Sequence, residues 1–180
     1  NRTSGIVENL VQRVFEAKTR NALWVGDITY VRLKTGFLYL ATFIDVFSRK
    51  VVGWAMNTRM TEQLVIDAFL QAVGKERPPA GLIVHTDRGS QYTSRRYQKT
   101  VAEHGGVISM SRLGDPYDNA VMESFYKTLK RELLPATKRF GDAEEAQKAI
   151  FEYIEMFYNT KRMHSALGYM SPVEYEKQHS

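Results

Sequence analysis

Apolar residues along this chain recur first with a period of two and later with a period near 3.6. From Ala22 to Leu33 the segment ALWVGDITYVRL is apolar on both faces of an extended chain. Lys34-Thr35-Gly36 reads as a turn, and FLYLATFID from Phe37 to Asp45 repeats the pattern. A second turn at Phe47 to Lys50 leads into Val51 to Asn57, and connections this short predict three strands in an antiparallel meander. The period then changes. Leu64, Val65, Ala68, Phe69, Ala72 and Val73 form one helical stripe behind Thr61 as cap, with Gly74 as the stop.

After a loop over 75–81 containing Pro78-Pro79, Leu82 to His85 is a short buried strand. A strand that follows a helical crossover is expected to lie parallel to a neighbour. Thr86 to Gln91 reads as a turn, Arg95 to His104 as a helix stopped by Gly105-Gly106, and Val107 to Met110 as a fifth strand. Ser111 to Tyr117, with Gly114 and Pro116, is expected to be a mobile loop. Asp118 is placed to cap a helix from Asn119 to Leu134 that turns Met122, Phe125, Tyr126, Leu129 and Leu133 inward. Asp142 and Glu145 resemble a capping box for a helix to about Tyr158, with Ala146, Ala149, Ile150, Tyr153, Ile154 and Phe157 inward. Ser171-Pro172-Val173-Glu174 signals a short last helix. Ahead of all this, Val7, Leu10, Val11, Val14 and Phe15 behind Ser4 predict a leading helix over residues 4 to 18. The organisation expected is therefore a leading helix or linker over 1–20 and one α/β domain over 21–180. Its sheet has five strands, three antiparallel and then two parallel, flanked by helices.

Composition narrows the chemistry. With 43% hydrophobic and 12% aromatic residues in 180, the chain can bury one sizeable core. It has no cysteine, which excludes disulfides and thiolate metal sites, so a bound metal would take oxygen or imidazole ligands, and that favours a hard ion such as Mg²⁺. No apolar run approaches the roughly 20 residues a spanning helix needs, and Asn1 to Arg20 does not read as a signal peptide, so a soluble intracellular chain is expected. From Arg88 to Arg139 ten Lys or Arg stand against five acids, an excess equal to the whole formal net charge of +5. A basic field of this kind suits a polyanion such as nucleic acid, while a solvated mixed-charge surface is the plainer alternative.

Within that field three carboxylates stand out. Asp27 interrupts an apolar strand, where an unpaired carboxylate needs a metal, a proton or a cation, and Arg32, Arg49 or Lys50 could each supply the cation. Asp87 lies just beyond the carboxyl end of a buried strand, the edge at which α/β sheets bind ligands, although a turn aspartate bonded to Gly89 fits as well. Glu123 falls on the polar side of the helix from Asn119. Lys130 is about 20° away from it around the axis and Lys127 about 40° to the other side, so plain helix ion pairing is the alternative. Asp45, Asp115 and Asp118 read as strand end, loop and helix cap. Three acids on a strand, a strand end and a later helix suit phosphodiester chemistry that uses two divalent ions.

The stretches WVGDITYV, FLYLATFIDVFSRKVVGW, HTDRGSQYTS, SRLGDPYDNAVMESFYKTLKREL and YNTKRMHSALGYMSPVEYE together resemble the second-frame transposases of insertion sequences of the IS-three family. The catalytic core of that family is similar to that of retroviral integrases. The resemblance runs from about Asn21 to Tyr175. It implies an RNase H-like fold, a triad of Asp27, Asp87 and Glu123 holding two Mg²⁺ ions for which Mn²⁺ can substitute, and a phosphate-binding Lys130. It also implies cleavage and 3′-hydroxyl strand transfer on DNA. Lys127, Arg131, Arg112 and Arg88 are further candidate DNA contacts. A homo-oligomer, a cytoplasmic, nucleoid-associated bacterial setting and a helix-turn-helix region preceding Asn1 are expected on the same ground. A nuclease that only hydrolyses and a catalytically silent nucleic-acid-binding module on the same fold are the competing expectations.

Overall fold

The computed structural model describes residues 8–11, 16–112 and 119–179. Strands β1 (Leu23–Arg32), β2 (Phe37–Asp45) and β3 (Val51–Asn57) form the meander, β1 pairing antiparallel with β2 and β2 with β3. After α1 (Glu62–Glu76) the chain returns as β4 (Ile83–Thr86), parallel to β1. Helices α2 (Ser90–Thr93) and α3 (Arg95–Glu103) then lead to β5 (Val107–Met110), parallel to β4. The resulting sheet has the order β3-β2-β1-β4-β5, the mixed sheet expected. Helices α4 (Ala120–Leu133), α5 (Ala143–Phe151) and α6 (Pro172–His179) complete the described fold.

Strands buried on both faces imply two cores, and the sheet separates them. One face packs Val25, Leu38, Leu40 and Ile44 against Met122, Phe125 and Leu129 of α4 and Ile150 of α5. The other packs Trp24, Phe43 and Val84 against Leu64, Phe69 and Ala72 of α1 and Tyr97 of α3. Gly53 lets α1 approach closely, because a Cβ there would overlap the Ala68 carbonyl.

Several helix details depart from the pattern. Gly74 does not end α1; the helix runs to Glu76, and Arg77 takes the left-handed conformation (φ 48°) immediately before Pro78. Proline disfavours the helical region for the residue before it, so Pro78 is the stop. Thr61 occupies the cap position without a side-chain hydrogen bond. Within the stretch read as a turn, Ser90–Thr93 forms a helix too short for periodicity to reveal. Leu133 is only half-buried. Helix α5 continues as a π-helix over Glu152–Tyr158. The wider turn shifts the inward positions by one, so Tyr158 is buried and Phe157, expected inside, is 40% exposed. Ser171 and Glu174 form the reciprocal box, each side chain accepting from the other's N–H at 3.3 Å, whereas Asp142 caps by accepting from Glu145 N at 2.8 Å and the Glu145 carboxylate accepts from Gly141 N instead of Asp142 N. The leading helix expected over 4 to 18 falls largely outside the described residues. Of that stretch 8–11 and 16–18 are described and are not helical, and Glu8 O accepts from Met110 N on the outer edge of β5.

Candidate active site

Strand register brings the first two acids together. β1 and β4 run parallel with Leu23, Trp24 and Val25 beside Ile83, Val84 and His85. Continued by two residues, that alignment sets Asp87, as the chain leaves β4, alongside Asp27 on the neighbouring strand. β4 ends at Thr86 while β1 runs on to Arg32, so Asp27 stands where the sheet loses a strand.

Helix α4 brings the third. Asn119 Nδ2 donates to Gly26 O at 3.1 Å, and Tyr126 OH donates to Asp27 O. These bonds fix the helix to the backbone at Asp27 from positions on either side of Glu123, which lies in the first turn of α4. Sequence reading placed Tyr126 among inward residues and missed both bonds. Neither type of contact leaves a periodic signal.

Electrostatics reports the convergence. Burial raises the Asp27 carboxyl from 3.8 to about 6, a hydrogen bond from the Ile28 backbone opposes this, and the nearby charges of Asp87 and Glu123 push it further up. The cations proposed as partners are elsewhere: Lys50 Nζ lies 2.6 Å from Glu76 and 3.4 Å from Glu176, and among the described residues Asp27 has no ion pair. Asp87 makes the turn bond considered for it, Oδ1 accepting from Gly89 N at 2.7 Å just beyond the end of β4. Glu123 is exposed and pairs with neither Lys127 nor Lys130 among the described residues. Lys130 instead places its Nζ 5.2 Å from the centre of the Tyr30 ring, and burial lowers its pKa.

The donor set is all hard oxygen, and one member is disfavoured as an anion by burial and by two neighbouring carboxylates. That is the chemistry a divalent cation such as Mg²⁺ offsets. Among the described residues no three His, Cys, Asp or Glu side chains are close enough to clasp an ion as they stand. Asp87 and Glu123 are both exposed, whereas Asp27 is half-buried.

The other candidates divide. Lys127 is exposed on α4. Arg131 lies 3.7 Å from Glu132 on the surface, Arg88 is half-buried after Asp87, and Arg112 is exposed after β5. Asp45 is a strand end whose oxygens accept from Asn21 N (2.8 Å) and Phe47 N (3.0 Å). Asp115, Asp118 and most of the loop that contains them lie outside the described residues.

The family model described as Integrase core domain matches residues 17–116, and another with the same description matches residues 123–179. The transposase for insertion sequence element IS904 of Lactococcus lactis subsp. lactis (strain IL1403) is 60% identical over 172 residues, covering 96% of this chain and 68% of that protein. Transposase InsF for insertion sequence IS3A of Escherichia coli (strain K12) is 45% identical over 171 residues, covering 95% of this chain and 59% of that one. The chain thus spans only part of the length of these relatives. The HTLV-2 integrase catalytic core domain, solved in complex with magnesium in a trimeric form, superposes with a TM-score of 0.65 at 21% identity, covering 89% of this chain and 99% of that one. At that identity the likeness shows the fold, an RNase H-like mixed sheet flanked by helices. Among the described residues no helix is long and apolar enough to cross a membrane.

Proposed function

The chain belongs to the integrase core domain family, with the insertion-sequence transposases as its relatives, and on that premise we propose that it carries the phosphodiester chemistry of DNA transposition. The observation that supports this most is the buried Asp27 carboxyl, raised to about 6 and coupled to Asp87 and Glu123 at the end of the sheet. Asp27, Asp87 and Glu123 would hold two Mg²⁺ ions, with Mn²⁺ able to substitute, and bound there the ions would make the attacking oxygen more nucleophilic and stabilise the leaving one. At a transposon end, water attacks the phosphorus, the bond to the 3′ oxygen breaks, and that oxygen leaves as a free 3′-hydroxyl after taking a proton. In strand transfer the 3′-hydroxyl loses its proton and its oxygen bonds to the phosphorus of a target phosphodiester, while the bond from that phosphorus to the target's own 3′ oxygen breaks and this oxygen leaves as a hydroxyl after taking a proton.

The chain's own residues orient these steps. Asn119 and Tyr126 fix α4 to β1 and so set Glu123 relative to Asp27. Lys130 is about 10.5 Å along the helix from Glu123 and meets a phosphate beside the one being cut. Lys127, Arg131, Arg112 and Arg88 extend the basic surface, which positions DNA without reading its sequence. The HTLV-2 core was solved as a trimer with magnesium, and a homo-oligomer acting on bacterial DNA in the nucleoid is proposed here as well. Labelled oligonucleotides carrying a pre-cut transposon end test the reading: strand-transfer products in Mg²⁺ or Mn²⁺ support it. Hydrolysis without joined products would make the chain a nuclease, and DNA binding indifferent to metal and to Glu123→Gln would make it a binding module.

A further inference from the structure

On the far side of α4 from Glu123 lies a cleft of about 440 Å³ that the chemistry above does not use. Ser124 and Thr128 line it from the helix, and Arg49, Arg162, His164 and Ser165 close it from other elements. At 100° per residue the lining side of α4 lies roughly 130° around the axis from Glu123, so DNA lying on the carboxylates would not fill it.

Three observations describe what it is built to hold. First, among the described residues the buried Arg49 Nη1 and His164 Nε2 have no hydrogen-bond partner. A buried guanidinium nitrogen without an acceptor is costly, and the great majority of such groups are satisfied. Second, among the described residues no carboxylate sits against the Arg49 guanidinium; burial disfavours its charge, and Asp45 and Tyr158 support that charge only from a distance. Arg162 is held by Glu132 at 2.7 Å, but Arg49 has no ion pair among the described residues, and nearby Asp45 has both oxygens committed to Asn21 N and Phe47 N. Among the described residues no carboxylate lines the cleft. Third, Arg49 has φ 61°, a left-handed backbone that costs a non-glycine residue energy, and its N–H bonds Asp45 O at 2.8 Å to keep the turn closed. Glycine would make that turn at lower cost but would bring no guanidinium to the cleft.

We propose that this cleft is an oxyanion site that takes a phosphate group, with Arg49 as the charged donor, the Ser124, Thr128 and Ser165 hydroxyls as neutral donors, and His164 as a reporter at its wall. The phosphate comes either from a DNA backbone passing on this side of α4 or from a small phosphate-bearing ligand. The site does not depend on the proposed carboxylate chemistry, and its test needs no metal and no turnover.

The experiment follows the ring signals of ¹⁵N-labelled histidine in EDTA while inorganic phosphate, and separately a short duplex, is added to the wild type, Arg49→Gln and Arg49→Lys. Without ligand, burial and the charges of Arg162 and Arg49 depress His164 to about 4. An anion in the cleft offsets those charges, so its titration moves upward. Saturable movement with phosphate, weakened roughly ten- to hundred-fold in Arg49→Gln and partly restored in Arg49→Lys, is the expected result. Movement with duplex as well names a DNA backbone as the source, and movement with phosphate alone names a small ligand. If neither phosphate nor duplex moves His164 in the wild type, the cleft is only hydrated and the proposal is overturned. A response of Arg49→Gln equal to that of the wild type overturns it too.

Discussion

At the level of single residues Asp27 carries the most information, because it is the acid whose ionisation the fold opposes. Its carboxyl is raised from 3.8 to about 6, chiefly by burial. A group whose folded pKa is raised contributes its stability in full below about 3.8 and loses it as pH rises through about 6, so ionised Asp27 burdens the metal-free fold by up to about 3 kcal/mol. Asp27→Asn should therefore abolish cleavage and strand transfer in an oligonucleotide assay. The same variant should melt higher than the wild type in EDTA at pH 7.5, a difference that closes near pH 4. Asp87→Asn and Glu123→Gln should also abolish turnover with the fold intact by circular dichroism. Lys130 makes a separate point: helix geometry put it on the face of Glu123, but its perch over Tyr30, 5.2 Å from the ring centre, could not be read from spacing within one helix. Lys130→Ala should weaken DNA binding and lower the slope of log affinity against log salt by about 1, with metal titration unchanged. Wild-type DNA affinity in that variant would remove its phosphate role. The orphaned donors of Arg49 and His164 left no trace in the sequence, since both depend on which elements meet across the fold.

At the level of elements, the strands were legible almost to the residue. Runs such as FLYLATFID are apolar on both faces and bounded by turn residues, and β2, β3 and β5 begin and end where that pattern does. Helix ends were less legible, because tertiary contacts and a following proline decide them: Gly74 reads as a stop, yet α1 continues until Pro78 intervenes. The π-helix after α5 was invisible to a period of 3.6, and it exchanges Phe157 for Tyr158 in the core. Truncation by chemical denaturation separates the two registers. Tyr158→Ala should cost about 3 kcal/mol or more, as for other large aromatic side chains lost from a core, and Phe157→Ala less than about 1. Equal costs would mean that an uninterrupted α-helix persists in solution.

For the whole molecule, the sheet sets the site and the helices complete it. β4 stops short of β1, Asp87 leaves beside Asp27, and α4 is tied to that place by Asn119 and Tyr126. Asp27 stood out because a carboxylate in an apolar strand is rare, whereas Asp87 and Glu123 each had an ordinary alternative and joined it as a triad only through the family resemblance, their convergence depending on the register of parallel strands far apart in sequence. A second aspartate shares the sign of Asp27: Asp45 is raised to about 7 by burial, so its contribution also fades as pH rises through neutrality. The metal-free protein should thus melt lower at pH 8 than at pH 5.5, and a divalent ion can relieve only the Asp27 share. The most direct test of the three-carboxylate site is the melting temperature of wild type and Asp27→Asn across that range, with and without Mg²⁺ or Mn²⁺. A metal-dependent rise at pH 8 in the wild type, largely absent in Asp27→Asn, is the predicted result; no rise in the wild type, or an equal rise in both, would contradict it.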